Sequence, residues 1–131
     1  IQGPRHEATM KNAIIGFSFR DLQYIVAVAE ELNFHKAALR CCVTQSTLSI
    51  QLKKCEEYLG VELFHRTQHS VALTHEGVEV VAFARVALDA ARFIKERTPD
   101  RSSIRSNAVR LRHKLARTVL DLKDQSRVFL R

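Results

Sequence analysis

The stretch from Thr44 to Gly60, TQSTLSIQLKKCEEYLG, limits the possible folds of this chain more than any other. Thr44 can cap the start of a helix with its hydroxyl, and Gly60 can end one in the left-handed conformation. Apolar residues recur between them at helical spacing and predict a buried stripe: Leu48, Leu52, Cys55 and Leu59. The other side has groups that can bond DNA bases and phosphates: Gln45, Ser46, Ser49, Gln51, Lys53 and Lys54. Taken alone, the stretch favours an ordinary amphipathic surface helix over one that reads DNA.

Two shorter helices are predicted in front of this stretch. Ser18 and Asp21 have the S-x-x-D spacing of a capping box, so the first helix should begin there. A second helix, over residues 34–41, can be capped by Asn33. Its paired alanines are small enough to let another helix cross closely, as a helix-turn-helix requires.

A short hairpin is predicted after the capped stretch, in the segment VELFHRTQHSVALT. Beside a helix-turn-helix, such a hairpin forms a wing. Its polar tip suits a phosphate or the minor groove, and the candidate contacts are Arg66, Thr67, Gln68 and His69. The alternative is a hairpin tip that is simply solvated.

A long helix is predicted from His75 to roughly Arg97, with Thr74 as its cap. Its apolar surface is too large for a helix at the edge of a small domain, which favours pairing with a second copy. The candidate dimerisation residues follow a heptad-like spacing: Val78, Val81, Ala84, Leu88 and Ala91. Packing of the same surface against the chain's own tail is the alternative.

The chain divides into four segments on this interpretation. Residues 1–16 form a flexible arm, 17–74 a winged helix-turn-helix, 75–97 the dimerisation helix, and 98–131 a basic tail. The predicted fold is mainly α, with a small β-hairpin wing. Within the tail, residues 100–107 should be a linker and 109–122 a basic helix that binds DNA, covers the long helix or stays disordered.

Composition gives weaker indications than local pattern. The chain has 131 residues and a net charge of +7, which favours a polyanionic partner such as double-stranded DNA. Most of the excess charge, however, lies after Thr98. The sequence has no run long enough to span a membrane and no secretory pattern at its start, so we expect a cytoplasmic protein.

The cysteines predict neither a metal site nor a disulfide framework. Cys41, Cys42 and Cys55 form no C-x-x-C pair, and small buried thiols are the favoured explanation. An enzyme with Cys41 and His35 as nucleophile and base is disfavoured, because the two do not share a helix face and no oxyanion pattern accompanies them. We therefore expect no catalytic residues, no metal and no cofactor.

From Phe19 to about Arg97 the chain resembles the DNA-binding region of LysR-type transcriptional regulators. The resemblance rests on many residues in register: Phe34, Ala37, Ala38, Val43, Thr44, Gln45, Ser49, Glu56, Leu59, Gly60, Leu63, Phe64, Arg66, Leu73, Thr74 and Gly77. The amino-acid sequence of the first two helices is most similar to that of the peroxide-sensing branch. Departures at Ser46, Ile50 and Cys55 put the operator in doubt, but not the fold.

The resemblance implies that the third helix enters the major groove of a palindromic site and that the long helix pairs two chains. Carried over by position, the residues expected near bases or backbone are Thr44, Gln45, Ser46, Thr47, Ser49, Ile50 and Lys53, with Arg66 and the wing beside them. RNA polymerase is a further candidate partner.

No segment after Thr98 alternates strands and helices, so we expect the family's effector-binding domain to be absent. Two functions remain open from the sequence. The first is a sequence-specific, dimeric transcriptional regulator without that domain. The second is a truncated dimerisation or interaction module that modulates full-length relatives.

Overall fold

The computed structural model describes residues 16–96 and 101–129, and in the second range it describes side chains from 105 to 125. The predicted arm therefore lies outside the described residues, except for Gly16. The elements, in chain order, are α1 (Phe19–Glu31), α2 (Phe34–Arg40), α3 (Gln45–Leu59), β1 (Phe64–Arg66), β2 (Val71–Leu73), α4 (His75–Lys95) and α5 (Arg101–Phe129).

The first two helices begin at the predicted caps. The Ser18 hydroxyl accepts a hydrogen bond from the Asp21 N–H, and the Asp21 carboxylate accepts one from the Ser18 N–H, which completes the capping box. Asn33 accepts a hydrogen bond from the Lys36 N–H and starts α2. The turn after α2 lacks a glycine. Cys42 occupies the position with positive φ, at φ 56°, which a glycine would adopt more easily.

α3 has the predicted bounds and the predicted buried stripe. The Thr44 hydroxyl accepts from the Thr47 N–H at 3.1 Å, and Gly60 closes the helix at φ 72°. Three of the four stripe residues are buried: Leu48, Leu52 and Cys55. They contribute to one core together with the inner faces of α1 and α2, so the three helices form a helix-turn-helix.

β1 and β2 pair antiparallel, with Phe64 opposite Leu73 and Arg66 opposite Val71. The connection between them is closed by the Thr67 N–H, which donates to the Ser70 carbonyl at 2.9 Å. Phe64 is buried and the hairpin tip is exposed. The predicted wing is confirmed.

α4 is fixed to the hairpin at its first turn. The Thr74 hydroxyl donates to the Glu62 carbonyl at 2.6 Å and accepts from the Gly77 N–H at 2.9 Å. Beyond this cap, α4 packs on α1 and buries Val81 and Ala84 between them. The helix ends at Lys95, and the predicted end at Arg97 lies outside the described residues.

α5 corrects the predicted linker. The helix is continuous from Arg101 to Phe129, whereas the sequence predicted a linker over 100–107 and a helix over 109–122. The segment 101–107 is polar but has no glycine or proline, so its polarity does not indicate a break in the helix. α5 packs on α4, and the Lys114 ammonium pairs with the Asp89 carboxylate.

Candidate nucleic-acid interface

The N-terminal half of α3 presents a polar surface that faces away from the core. Most of the predicted contact residues on it are exposed: Thr44, Gln45, Ser46, Thr47, Ile50 and Lys53. Ser49 is partly buried. Because the first-turn N–H groups of a helix point outward at its start, this end of α3 also favours a phosphate oxygen.

The wing tip lies next to this surface, and its four predicted contact residues are exposed. Thr67 also shapes the turn, because its hydroxyl accepts hydrogen bonds from the N–H groups of His69 and Ser70 at 3.3 and 3.0 Å. The side chains best placed to reach a ligand from the tip are therefore Gln68 and His69.

Arg66 connects the wing to α3. Its guanidinium donates to the Ser49 hydroxyl at 3.1 Å and to the Glu56 carboxylate at 3.2 Å. The same group stacks over the Phe34 ring, with Cζ 4.4 Å from the ring centroid. Two residues predicted to contact DNA, Ser49 and Arg66, therefore contact each other in this structure.

Glu56 completes this junction from the other side. One carboxylate oxygen accepts from the backbone N–H groups of Leu63 and Phe64 at 2.9 and 3.3 Å, while the other pairs with Arg66. A single carboxylate thus fixes both the start of β1 and its end against α3. We define the Arg66 junction as Phe34, Ser49, Glu56 and Arg66.

The sequence pointed to Glu56 only through the family resemblance and gave it no role. The sequence nevertheless contained an indication of a structural role. Glu56 is an acidic residue close to Lys53 and Lys54 on a helix face predicted to meet phosphates, where a carboxylate would be repelled. Its partners come seven to ten residues later, so only knowledge of the path of the hairpin could have assigned them.

Charge alone does not mark this surface. Between Thr44 and Leu73 the acidic and basic side chains balance, whereas the described side chains of α5 include six cations and two carboxylates: Arg105, Arg110, Arg112, Lys114, Arg117 and Lys123 against Asp121 and Asp124. Hydrogen-bonding groups, and not a concentrated positive charge, are therefore what distinguishes this face of α3.

A family model described as "Bacterial regulatory helix-turn-helix protein, lysR family" matches residues 19–78, the segment from α1 to the first turn of α4. The chain belongs to the LysR family. Among curated relatives, a hydrogen peroxide-inducible genes activator of Pectobacterium carotovorum subsp. carotovorum is 44% identical over 79 residues, which are 60% of this chain and 26% of that protein. The resemblance to the peroxide-sensing branch is thereby confirmed, and the chain spans about a quarter of that relative's length.

Two solved structures of DNA-binding domains support the same assignment. The BenM_DBD/catB site 1 DNA complex superposes with a TM-score of 0.58 at 37% identity, over 60% of this chain and 87% of that one. The CbnR_DBD–DNA complex gives 0.57 at 35% identity, over 71% and 98%. The predicted winged helix-turn-helix of LysR type is confirmed.

The predicted dimerisation residues of this LysR-family chain do not form one exposed seam. Val81 and Ala84 are only 5% and 3% exposed, because they pack into the chain's own core. Val78, Leu88 and Ala91 are partly buried. The large apolar side chains that α4 exposes are Phe83 and Ile94.

All three cysteines are free thiols. Burial, with smaller contributions from Asp21 and Glu56, raises the pKa of the Cys55 thiol to about 11. A buried thiol of this kind packs as a small apolar group. Among the described residues, no cluster of three His, Cys, Asp or Glu side chains could hold a metal ion, and none of the described helices is long and apolar enough to cross a membrane.

Proposed function

We propose that the chain is a sequence-specific, dimeric DNA-binding regulator of transcription that binds a palindromic site. The observation that supports this most is the exposed polar face of α3, fixed to the wing by the Arg66 junction. A reading helix and a wing held in one rigid arrangement can enter a major groove and contact the adjacent backbone together.

On this proposal the base contacts come from the first two turns of α3. The Gln45 amide can pair with the N6 and N7 positions of adenine, and the hydroxyls of Ser46 and Ser49 can donate or accept at base edges. Ile50, which is 54% exposed, has no hydrogen-bonding group and suits the methyl group of thymine. Thr44, Thr47 and Lys53 flank these groups and suit phosphates.

The wing supplies positioning contacts on this proposal. Gln68 and His69 at the tip, with Thr67 beside them, would reach the sugar-phosphate backbone or the minor groove. Arg66 itself is 31% exposed at its side chain, so it can offer a remaining N–H to a phosphate while it keeps its internal bonds.

A dimer formed through α4 accounts for the palindromic site. Two-fold symmetry in the protein requires two-fold symmetry in the DNA, with half-sites separated by whole helical turns of about 10 base pairs. The apolar side chains that α4 leaves exposed would form the contact. RNA polymerase remains a proposed partner of the assembled regulator.

The test is selection of duplexes from a randomised library by the purified chain at two salt concentrations. We expect one enriched palindrome, and we expect Gln45→Ala and Ile50→Ala to change the preferred base at separate positions, at about 1–3 kcal/mol each. Glu57→Ala, a change at an exposed α3 residue outside the proposed contact set, is the matched control. Binding without sequence preference would contradict the proposal.

A second candidate is an interaction module that modulates full-length relatives through α4. The exposure of Phe83 and Ile94 favours it, because large apolar side chains on a helix surface indicate a partner. A variant that combines Gln45→Ala with Ile50→Ala distinguishes the two candidate functions. Loss of regulation with loss of DNA binding supports the regulator, whereas regulation that survives without DNA binding supports the interaction module.

A further inference from the structure

α4 and α5 form a helical hairpin whose two edges differ. After the connection at residues 96–100, α5 runs back along α4, and the ion pair between Lys114 and Asp89 places the middle of α5 beside the second half of α4. This ion pair marks one edge of the contact between the two helices.

The exposed apolar residues of α4 lie at the other edge. Because an α-helix turns by about 100° per residue, Phe83 and Ile94 lie about 120° and 140° around α4 from Asp89. The partly buried Val86 and Phe93 lie between them and Asp89. Around the circumference of α4, the ion pair, the contact with α5 and the two exposed apolar side chains therefore follow one another in this order.

α5 repeats this arrangement. Leu115 and Val119 lie about 100° and 140° around the helix from Lys114, and the partly buried Leu111 and Leu122 lie in between. Leu115 is 39% exposed and Val119 is 37% exposed. α4 thus covers only one side of the apolar stripe of α5, and the uncovered side faces the same edge as Phe83 and Ile94.

We infer that this apolar edge, formed by Phe83, Ile94, Leu115 and Val119, is covered by the same edge of a second copy, so that two hairpins form a four-helix bundle. The inference rests on the dimer of the proposed function and adds α5 as half of the interface. Antiparallel helix pairs with heptad-spaced apolar residues pack in this way, and the α4 half of the edge is the surface proposed above for the dimer.

Charges at the two ends of the edge are complementary for a second copy. Glu76 lies seven residues before Phe83, and Arg105 lies fourteen residues before Val119, so each shares a line with its apolar residue. Both are exposed. Because the helices run antiparallel, the two charges stand at opposite ends of the hairpin. A two-fold axis that crosses the middle of the edge at right angles to the helices brings Arg105 of one copy to the same end of the bundle as Glu76 of the other.

The decisive comparison is Val119→Glu against Leu120→Glu in the full chain. Leu120 is 61% exposed but faces away from both α4 and the apolar edge, so it receives the same change outside the interface. Sedimentation equilibrium measures the dimer dissociation constant, and circular dichroism checks helix content. We expect Val119→Glu to weaken the dimer about tenfold or more and Leu120→Glu to leave it within about twofold. Equal effects would overturn the inference.

A charge exchange gives a second test that needs no apolar substitution. Glu76→Arg and Arg105→Glu should each weaken the dimer, and the double variant should restore most of the affinity, because the pair is re-formed between copies. A double variant as weak as the sum of the two single changes would overturn the predicted two-fold arrangement.

Ile94→Glu separates this inference from the proposed function. If Ile94→Glu weakens the dimer and Val119→Glu does not, the α4 dimer stands and the role of α5 is refuted. If the wild-type chain is monomeric at every concentration, both the bundle and the palindrome fail. Binding to a single half-site would then still report on α3 as the reading helix.

Discussion

At the scale of single residues, Arg66 is a positioning group as well as a proposed DNA contact. Its guanidinium holds Ser49, Glu56 and the Phe34 ring at once, which a lysine ammonium cannot do. Arg66→Lys should therefore lower the free energy of unfolding by about 1 kcal/mol. It should also weaken DNA binding beyond that loss, because the wing is no longer fixed to α3. Urea denaturation and fluorescence anisotropy with labelled duplex measure the two effects.

The matched control is Arg85→Lys, since Arg85 is an exposed α4 residue with one acidic partner, Glu30, at 3.5 Å. Lysine keeps the positive charge, and this single ion pair does not need the shape of a guanidinium. The free energy of unfolding and the DNA affinity of Arg85→Lys should therefore stay near their wild-type values. If Arg66→Lys behaves like this control, the guanidinium acts only as a cation.

Cys55 makes stability depend on pH at the alkaline side. Its pKa in the folded state is about 11, raised from the ordinary 9.0 by burial, so the fold binds the thiol proton more tightly than the unfolded chain does. The resulting contribution is fully present below pH 9 and is lost between about pH 9 and 11, by up to about 2 kcal/mol. Denaturation midpoints measured across this range should fall.

Cys55→Val isolates the contribution of the thiol from other groups that titrate in the same range. The valine side chain has no proton to lose, so the variant should show a shallower fall in stability between pH 9 and 11. Parallel curves for the two proteins would show that the thiol does not ionise on unfolding in this window.

At the scale of elements, Gly77 allows α4 to approach the wing. A Cβ atom built there would lie 2.1 Å from the Leu63 carbonyl oxygen, and the same first turn bonds Thr74. Gly77→Ala should therefore push the helix start away from Leu63, the residue before β1, and lower the free energy of unfolding by about 2–3 kcal/mol in chemical denaturation.

Gly60→Ala is the comparison for the Gly77 prediction. Its added Cβ meets nothing within 4 Å, but Gly60 has φ +72°, so the cost is backbone strain of about 1 kcal/mol. A loss at Gly77 no larger than the loss at Gly60 would mean that the close approach of α4 and β1 is easily relaxed.

The sequence predicted the starts of α1, α2, α3 and α4 because each depends on a cap whose partner is three residues away. Contacts between residues that are far apart in the chain could not be predicted from the sequence. The Glu56 bonds to β1 depend on the path of the hairpin, and the Lys114–Asp89 pair joins residues 25 positions apart. The start of α5 was missed because a polar segment has no apolar period from which a helix could be predicted.

At the scale of the whole molecule, the proposed DNA-reading surface and the region of highest positive charge are separate. α3 packs on α1 and α2, whereas α5 packs on α4, and the described α5 side chains hold most of the excess cations. The net charge of +7 therefore does not indicate which surface of the molecule would bind DNA. Local hydrogen bonding at α3 should set sequence preference, and only nearby cations should set the dependence on salt.

Salt titrations of the palindrome complex test this separation. Each phosphate contact contributes about 0.9 to the slope of log affinity against log salt concentration, and Lys53 is the exposed cation among the proposed α3 contacts. Lys53→Gln should lower the slope by about one per DNA-bound protomer. Arg117→Gln removes the same charge from the exposed surface of α5 and should leave it unchanged. An equal fall for both variants would show that α5 reaches the phosphates, because a cation lowers the slope only where it displaces counterions.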